Sequence, residues 1–380
     1  MRKVALVTWY NSINYGTCLQ AYALYKTLIN MGYEVYIPEH IQYKTIITFR
    51  DAVRRVNKKI TKIINYSIAK NKSNHTLSYL EDEYLMRKCK INNFVSRNMS
   101  IWSMQGKRNT SFKKLNDEMD IFITGSDQIW NPYYMSLASL LNFVDETKKK
   151  VAYASSIGVE KIPNDLKIVY KKYLTRFNSL SVREKDNADM LSELINKEVS
   201  HVVDPTLLLN RNDLIELSSI HNGVNLEPYM LCYFLGNNQE WVIKAKEVAE
   251  MMNLKIVVLL SESRIVPNLG VTVASAGIEE FLGMLNMAKY VFTDSFHCTA
   301  LSLNLQKEFF VFKRFKDSDN NSQNTRIYSI LSTFGLEERL ITYDTNISIL
   351  IHKNINYTKV IIELEKLRNN SIRYLKNALL

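Results

Sequence analysis

An α/β fold of two Rossmann-like domains facing a cleft is what this chain predicts, and three observations lead there. Short apolar runs of strand length alternate with stretches of helical periodicity, the pattern of parallel strands joined by helical crossovers. The alternation is interrupted by a polar, turn-rich stretch from about Asn210 to Glu227, which reads as a linker. A length of 380 residues is enough for two cores. The expected units are an N-terminal domain over residues 1–215, a C-terminal domain over 225–350, and a closing helix within 356–380 that packs back across the domains.

In the first half, Val4 to Trp9 reads as a strand and about Thr17 to Met31 as a helix ended by Gly32. Tyr33 to Pro38 is the next strand, which completes a βαβ opening. The loop with Asn14 and Gly16 then lies at the carboxyl edge of a parallel sheet. It carries one glycine where a phosphate loop carries several, so a plain turn and a ligand loop stand equally open. Phe49, Val53, Val56, Ile60, Ile63 and Ser67 recur at steps of four and three, an amphipathic helix over about 49–68. A helix from about Ser78 to Arg97 follows. Met119 to Thr124 is a buried strand running into the polar turn Gly125–Pro132, and Lys150 to Gly158 is a strand with a glycine turn. Ser179 to Val182 is a strand, and Arg183 opens the helix after it. A cation there opposes the helix dipole, a local penalty that points to a functional arginine. Glu198 to Val203 is a strand, closed by Asp204-Pro-Thr206.

The second half repeats the logic. Strands are expected over Tyr229–Leu235, Lys255–Leu260, Val271–Ala274, Tyr290–Phe292 and Lys307–Phe312. Helices are expected over Trp241–Met252, Gly277–Ala288, from Phe296 onward, Thr325–Phe334 and Lys359 to about Asn377.

The most informative turn is Thr293-Asp-Ser-Phe-His297. Its small polar residues are of the kind that cap a helix, and the helix would start at the carboxyl end of the sheet, where open α/β folds place ligands. Free N–H groups and a partial positive charge at that end favour an anion. His297, in the first helical turn, carries a ring able to hold a proton near neutral pH.

Composition excludes several classes. Hydrophobic residues make up 46% and charged ones 23%, as in ordinary globular proteins, and no apolar run reaches membrane-spanning length. The apolar start reads as a first strand and not as a signal peptide. Cys18, Cys89, Cys232 and Cys298 are scattered, as are the six histidines, so neither a disulfide framework nor a metal site is expected, and a reducing cytoplasm is. Of the net charge of +11, residues 44–73 carry an excess of eight, nine cations against Asp51. The remainder is close to neutral, which argues against nucleic-acid binding.

The stretches Asn14-Tyr-Gly16, Gly125-Ser-Asp-Gln-Ile-Trp-Asn-Pro132, Tyr153-Ala-Ser-Ser156, Ser181-Val-Arg-Glu184, Val203-Asp-Pro-Thr206 and Thr293-Asp-Ser-Phe-His297 share an order and spacing with a known family. By them the chain resembles the polysaccharide pyruvyl transferase family along nearly its whole length. The resemblance implies a fold similar to the GT-B glycosyltransferases, with the active site between domains. It implies a bacterial enzyme that moves pyruvate from phosphoenolpyruvate onto two hydroxyls of one sugar, giving a cyclic ketal. The sugar would belong to a cell-surface polysaccharide, an exopolysaccharide or capsule, or to its lipid-linked precursor.

Phosphoenolpyruvate is then a co-substrate, with no cofactor and no metal. Arg183 and His297 match the positions for donor binding and catalysis. Ser295 stands where some members carry a second arginine, so the donor set Arg183, Ser295, Phe296 and His297 is expected to be completed by Arg326 or Lys313. Cys298 replaces a frequent glycine. Asn14, Tyr15, Gly16, Gly125, Ser126, Asp127 and Gln128 are the expected acceptor side, with Asp127 or Asp294 orienting or deprotonating the sugar hydroxyl. Two other classes stay open. One is a GT-B glycosyltransferase with a nucleotide-sugar donor, for which Glu279 and Glu280 are available to ribose hydroxyls. The other is a sugar-binding protein that kept the fold and lost the chemistry. A lipid-linked acceptor would give the cationic helix over 49–68 a use, as a peripheral contact with anionic lipid at the inner face of the membrane. A stripe packed on the N-terminal domain explains it equally well.

Overall fold

The computed structural model describes residues 1–39, 74–224, 227–236, 238–261, 269–315, 322–342 and 345–380. The helix expected over 49–68 lies outside the described residues, as does most of the loop before Asn324.

The first half builds a parallel sheet from β1 (Lys3–Val7), β2 (Glu34–Pro38), β3 (Ile101–Trp102), β4 (Ile121–Thr124) and β5 (Lys149–Ala152), in the order β3-β2-β1-β4-β5. β6 (Ser181–Val182) and β7 (Ser200–His201) pair with each other and extend that edge through bridges Val151–Ser179 and Ser155–Val182. The second half builds β8 (Tyr229–Tyr233), β9 (Lys255–Leu259), β10 (Val271–Val273), β11 (Tyr290–Thr293), β12 (Glu308–Phe312) and β13 (Leu340–Ile341), in the order β10-β9-β8-β11-β12-β13. Both sheets are therefore wound outward from a pair of adjacent central strands, β1 with β4 and β8 with β11. The crevice beyond such a pair is where doubly wound folds bind ligands.

The central strands are apolar on both faces because helices cover both faces. Every residue of β4 and β11 is buried. The helix Tyr15–Asn30 is buried nearly all round, since it is wedged between the two sheets. Its Tyr15 ring stacks on Phe281 of the second half at 4.5 Å, and its hydroxyl donates to the Ala276 carbonyl at 2.8 Å. The halves thus meet through a continuous apolar core. The final helix, Tyr357–Leu379, returns to the first sheet: the Tyr374 hydroxyl donates to the Ala152 carbonyl at 2.8 Å, and the Val203 N–H donates to Ser371 at 3.0 Å.

Three differences from the sequence reading have local causes. The polar stretch after Asn210 contains a helix, Arg211–Leu217. Asn210 and Asp213 cap each other's backbone there, and Leu214 is buried, so polarity marked a capped helix and not a bare linker. Arg183 does not open a helix. The helix is Lys185–Ile195 with Glu184 at its cap, and Arg183 stands before it, free of the dipole penalty. Two further helices were not expected: Arg108–Glu118, which has only Phe112 and Leu115 as apolar positions, and Asn164–Leu174, which buries Leu166, Tyr170 and Leu174 at helical spacing.

Candidate active site

His297 owes its position to two local devices. The Ser295 hydroxyl accepts from the Cys298 N–H at 3.4 Å and starts the helix Phe296–Asn304, while the Thr293 hydroxyl ties the end of β11 to the Tyr233 carbonyl of β8 at 2.6 Å. The first turn of this helix meets the start of the helix Tyr15–Asn30 head on. A Cβ on Gly16 would lie 2.4 Å from the His297 ring, so only glycine permits the contact. Asn14 caps the facing helix, accepting from the N–H groups of Gly16 and Thr17 at 3.0 and 3.3 Å.

Two buried groups converge on the imidazole. Asp204 Oδ2 lies 3.6 Å from His297 Nε2, and Arg183 Nη1 lies 3.5 Å from the same nitrogen. Arg183 Nη1 also donates to Asp204 Oδ2 at 2.7 Å. Its Nε faces Glu184 Oε1 at 3.2 Å, and its guanidinium covers the Phe296 ring at 4.0 Å. Burial works against charge on Asp204, but His297 and then Arg183 outweigh it and hold the carboxyl well below the usual carboxylate range. Burial likewise works against charge on Arg183. Glu184, Asp204 and Asp127 overcome it and keep the guanidinium firmly protonated.

Arg183 retains an unused donor. Its Nη2 is buried with no hydrogen-bond partner among the described residues. The side chain lines a cavity of about 30 Å³ together with Asp204, Phe296, His201 and Arg326. Arg326 is buried too, donating to Gln323 Oε1 at 2.8 Å. Burial, then the charges of Arg183 and Arg314, bring its pKa down to about 9. Such crowding of guanidinium groups is costly unless an anion joins them.

The remaining expected residues divide. Asp127 accepts from the Thr17 hydroxyl at 2.8 Å and from the Gln128 N–H at 2.8 Å, and its charge acts on both Arg183 and Arg326. Gln128 donates to Gln323 Oε1 at 2.9 Å, so it reaches Arg326 across the domains through a shared acceptor. Ser126 donates to the Ala154 carbonyl at 2.9 Å, and Gly125, at φ +135°, packs against the Tyr153 carbonyl. These two shape the turn. Asn14 is occupied as a cap, and the buried Tyr15 side chain points into the interdomain core, away from any ligand. Lys313 lies against the Tyr328 ring, 5.3 Å from its centroid. Its neighbour Arg314 donates to the Asp294 carbonyl at 2.8 Å, and its charge acts on Arg326. Asp294 also accepts from the N–H groups of Leu235 and Gly236 at 2.7 and 2.8 Å, which engages it as a backbone staple. Glu279 and Glu280 are held in ion pairs with Arg97 and Lys90, at 2.7 and 2.8 Å.

Asp204, Glu184, Arg314 and Gln323 were not expected at the site. Asp204 and Glu184 stand inside stretches the sequence singles out, and the visible signal was a carboxylate at the end of a short strand. Among the described residues no cluster of histidine, cysteine and carboxylate groups could hold a metal ion, and no helix is long and apolar enough to cross a membrane.

Comparison with known proteins places this geometry. The family model described as polysaccharide pyruvyl transferase matches residues 14–314. No curated protein matches the sequence. Among solved structures, a protein of Listeria monocytogenes assigned as a UDP-N-acetylglucosamine 2-epimerase is 11% identical with a TM-score of 0.51, over 99% of this chain and 91% of that one. The UDP-GlcNAc 2-epimerase of Neisseria meningitidis, bound to UDP-GlcNAc, is also 11% identical with a TM-score of 0.50, over 100% and 99%. At such identity the likeness is one of fold, the two-domain arrangement of the GT-B glycosyltransferases.

Proposed function

This chain belongs to the polysaccharide pyruvyl transferase family, and we propose that it transfers pyruvate from phosphoenolpyruvate onto two hydroxyls of a sugar as a cyclic ketal. The observation that carries this reading is the buried, unpartnered Nη2 of Arg183, beside His297 and sharing a cavity with Arg326. Phosphoenolpyruvate bears a carboxylate and a phosphate on a three-carbon enol. Two guanidinium groups in one buried cavity suit a small dianion, and a planar guanidinium can grip either group with two parallel bonds. Arg326, with Arg314 behind it, fills the place left by Ser295.

The reaction needs a proton at C3 of the enol while a sugar hydroxyl adds to C2. The second hydroxyl then takes the place of phosphate at C2, and its proton leaves with the phosphate or to water. His297 is the group placed to give the proton or to steady the departing phosphate, with Asp204 holding its ring. Asp127, anchored by Thr17, is the carboxylate for the sugar hydroxyl. A cavity of about 30 Å³ has room for about a water molecule, so donor entry requires the two domains to part slightly at Arg183 and Gln323.

The acceptor is a saccharide of a cell-surface polysaccharide or its lipid-linked precursor. The latter would give the cationic stretch 44–73 a use at an anionic membrane surface. Release of phosphate from phosphoenolpyruvate, measured with a panel of nucleotide-linked and lipid-linked sugars, tests the reading. Thermal stabilisation by phosphoenolpyruvate and not by nucleotide sugars is expected. Stabilisation by a nucleotide sugar alone would establish a glycosyltransferase instead.

A further inference from the structure

A second, larger cavity of about 640 Å³ adjoins the arginine cavity, and His201, Ser329 and Thr333 line both. Three bodies meet around it: the start of the helix Lys185–Ile195, the helix Thr325–Phe334, and Glu363 and Leu367 of the final helix. Its volume lies within the range of small-molecule sites, about 300–1,000 Å³. Its chemistry is the reverse of the inner cavity's. Asp186, Glu337 and Glu363 face it against Lys185, so a polyanion is disfavoured where the inner cavity invites one. Burial lowers the pKa of His201 against a hydrogen bond to the Arg183 backbone, which leaves a neutral ring with its other nitrogen as an acceptor. Thr325, Ser329, Ser332 and Thr333 line the groove as well.

Carboxylates, hydroxyls and a neutral imidazole around a groove of net negative charge are groups that hydrogen-bond vicinal hydroxyls. We propose that this groove is a saccharide subsite, which holds an uncharged sugar unit of the acceptor glycan next to the anion held by Arg183 and Arg326. The proposal rests on the transferase reading above only in calling that sugar part of the acceptor. The expected acceptor residues Asn14 and Tyr15 leave the role open, since one is a helix cap and the other is buried in the core.

The test uses the full chain and methyl glucopyranoside, galactopyranoside and mannopyranoside as probes, read by saturation-transfer NMR. A parallel arm measures thermal stabilisation by phosphoenolpyruvate. At least one glycoside should receive saturation from the wild type. Ser332→Trp, at an exposed position lining the groove, should weaken that binding at least about tenfold by filling the volume. Glu363→Gln, which replaces a carboxylate of the groove wall by an amide, should weaken it about two- to tenfold. Neither change should alter stabilisation by phosphoenolpyruvate. Absence of glycoside binding to the wild type, or equal binding by both variants, overturns the subsite. If glycoside binding is lost in Ser332→Trp while phosphoenolpyruvate fails to stabilise the wild type, the groove stands and the proposed transferase reaction falls.

Discussion

Asp127 and Asp294 occupy matching places in the two halves. Each follows the central strand that pairs with the first strand of its sheet, β4 beside β1 and β11 beside β8. Each reaches across that pair to the segment beyond the neighbouring strand. There the likeness ends. Asp294 accepts two backbone N–H groups and contacts Arg314, so its oxygens are occupied in fastening the loop after β8. Asp127 is tied across the crevice by one hydroxyl, that of Thr17, and otherwise bonds its own neighbour. Equivalent topology thus produced one carboxylate that builds the crevice and one left within reach of its chemistry. The carboxylate that touches His297 comes from neither place. Asp204 follows β7, at the outer edge of the first sheet, and is brought to the histidine by the docking of the domains.

The largest effect should come from removing His297, the proton donor proposed above, which the second half supplies. His297→Gln is expected to lower turnover about 100- to 10,000-fold while the far-ultraviolet circular dichroism spectrum stays unchanged. Near-normal pyruvyl transfer by a folded variant would remove His297 from the mechanism.

Asp204 should matter next, for stability as well as turnover. Asp204→Asn leaves Arg183 buried with less counter-charge and is expected to cost about 3 kcal/mol in denaturant unfolding. The sign of its pH dependence follows from a carboxyl held below its ordinary value of 3.8. The wild type has this contribution in full above that value and loses it as pH falls toward the depressed folded value. The difference between wild type and variant should therefore shrink below pH 3.8. A constant gap across that range would show that Asp204 is not stabilised as a carboxylate.

The matched aspartates give the sharpest contrast. Asp294→Asn should destabilise the protein by about 1–3 kcal/mol, since an amide cannot accept all the bonds its two oxygens take. Asp127→Asn should leave the melting temperature nearly unchanged and reduce turnover. Reversed outcomes would exchange the roles assigned to the two halves.

The smallest effect concerns Arg326, whose pKa is brought down to about 9. Arg326→Gln should weaken phosphoenolpyruvate affinity about three- to tenfold, since one of the two cations of the cavity is lost, and Arg326→Lys should recover part of it. Equal affinity in Arg326→Gln and wild type would place the anion elsewhere.

Local pattern determined a good deal of this protein. Apolar runs of four to five residues flanked by helical periodicity imposed parallel sheets, because burial on both faces needs helices on both. A cap at Ser295 directly after the buried β11 set His297 in the first turn of a helix, and a cap at Asn14 did the same for the facing helix, since capping is an interaction between residues two or three apart. The same local reading took for a linker a stretch that opens with a capped helix after Asn210, and it passed over Arg314, which bonds Asp294. Alternate residues leaving a strand point to opposite sides, and nothing local says which side meets the other domain. Only the tertiary structure decided that Arg183 and His297, 114 residues apart, share Asp204, and that Gly16 leaves room for the imidazole. Those contacts depend on how two separately patterned sheets dock through Tyr15 and Phe281, a geometry fixed by the shape of the shared core and written in no single stretch of the chain.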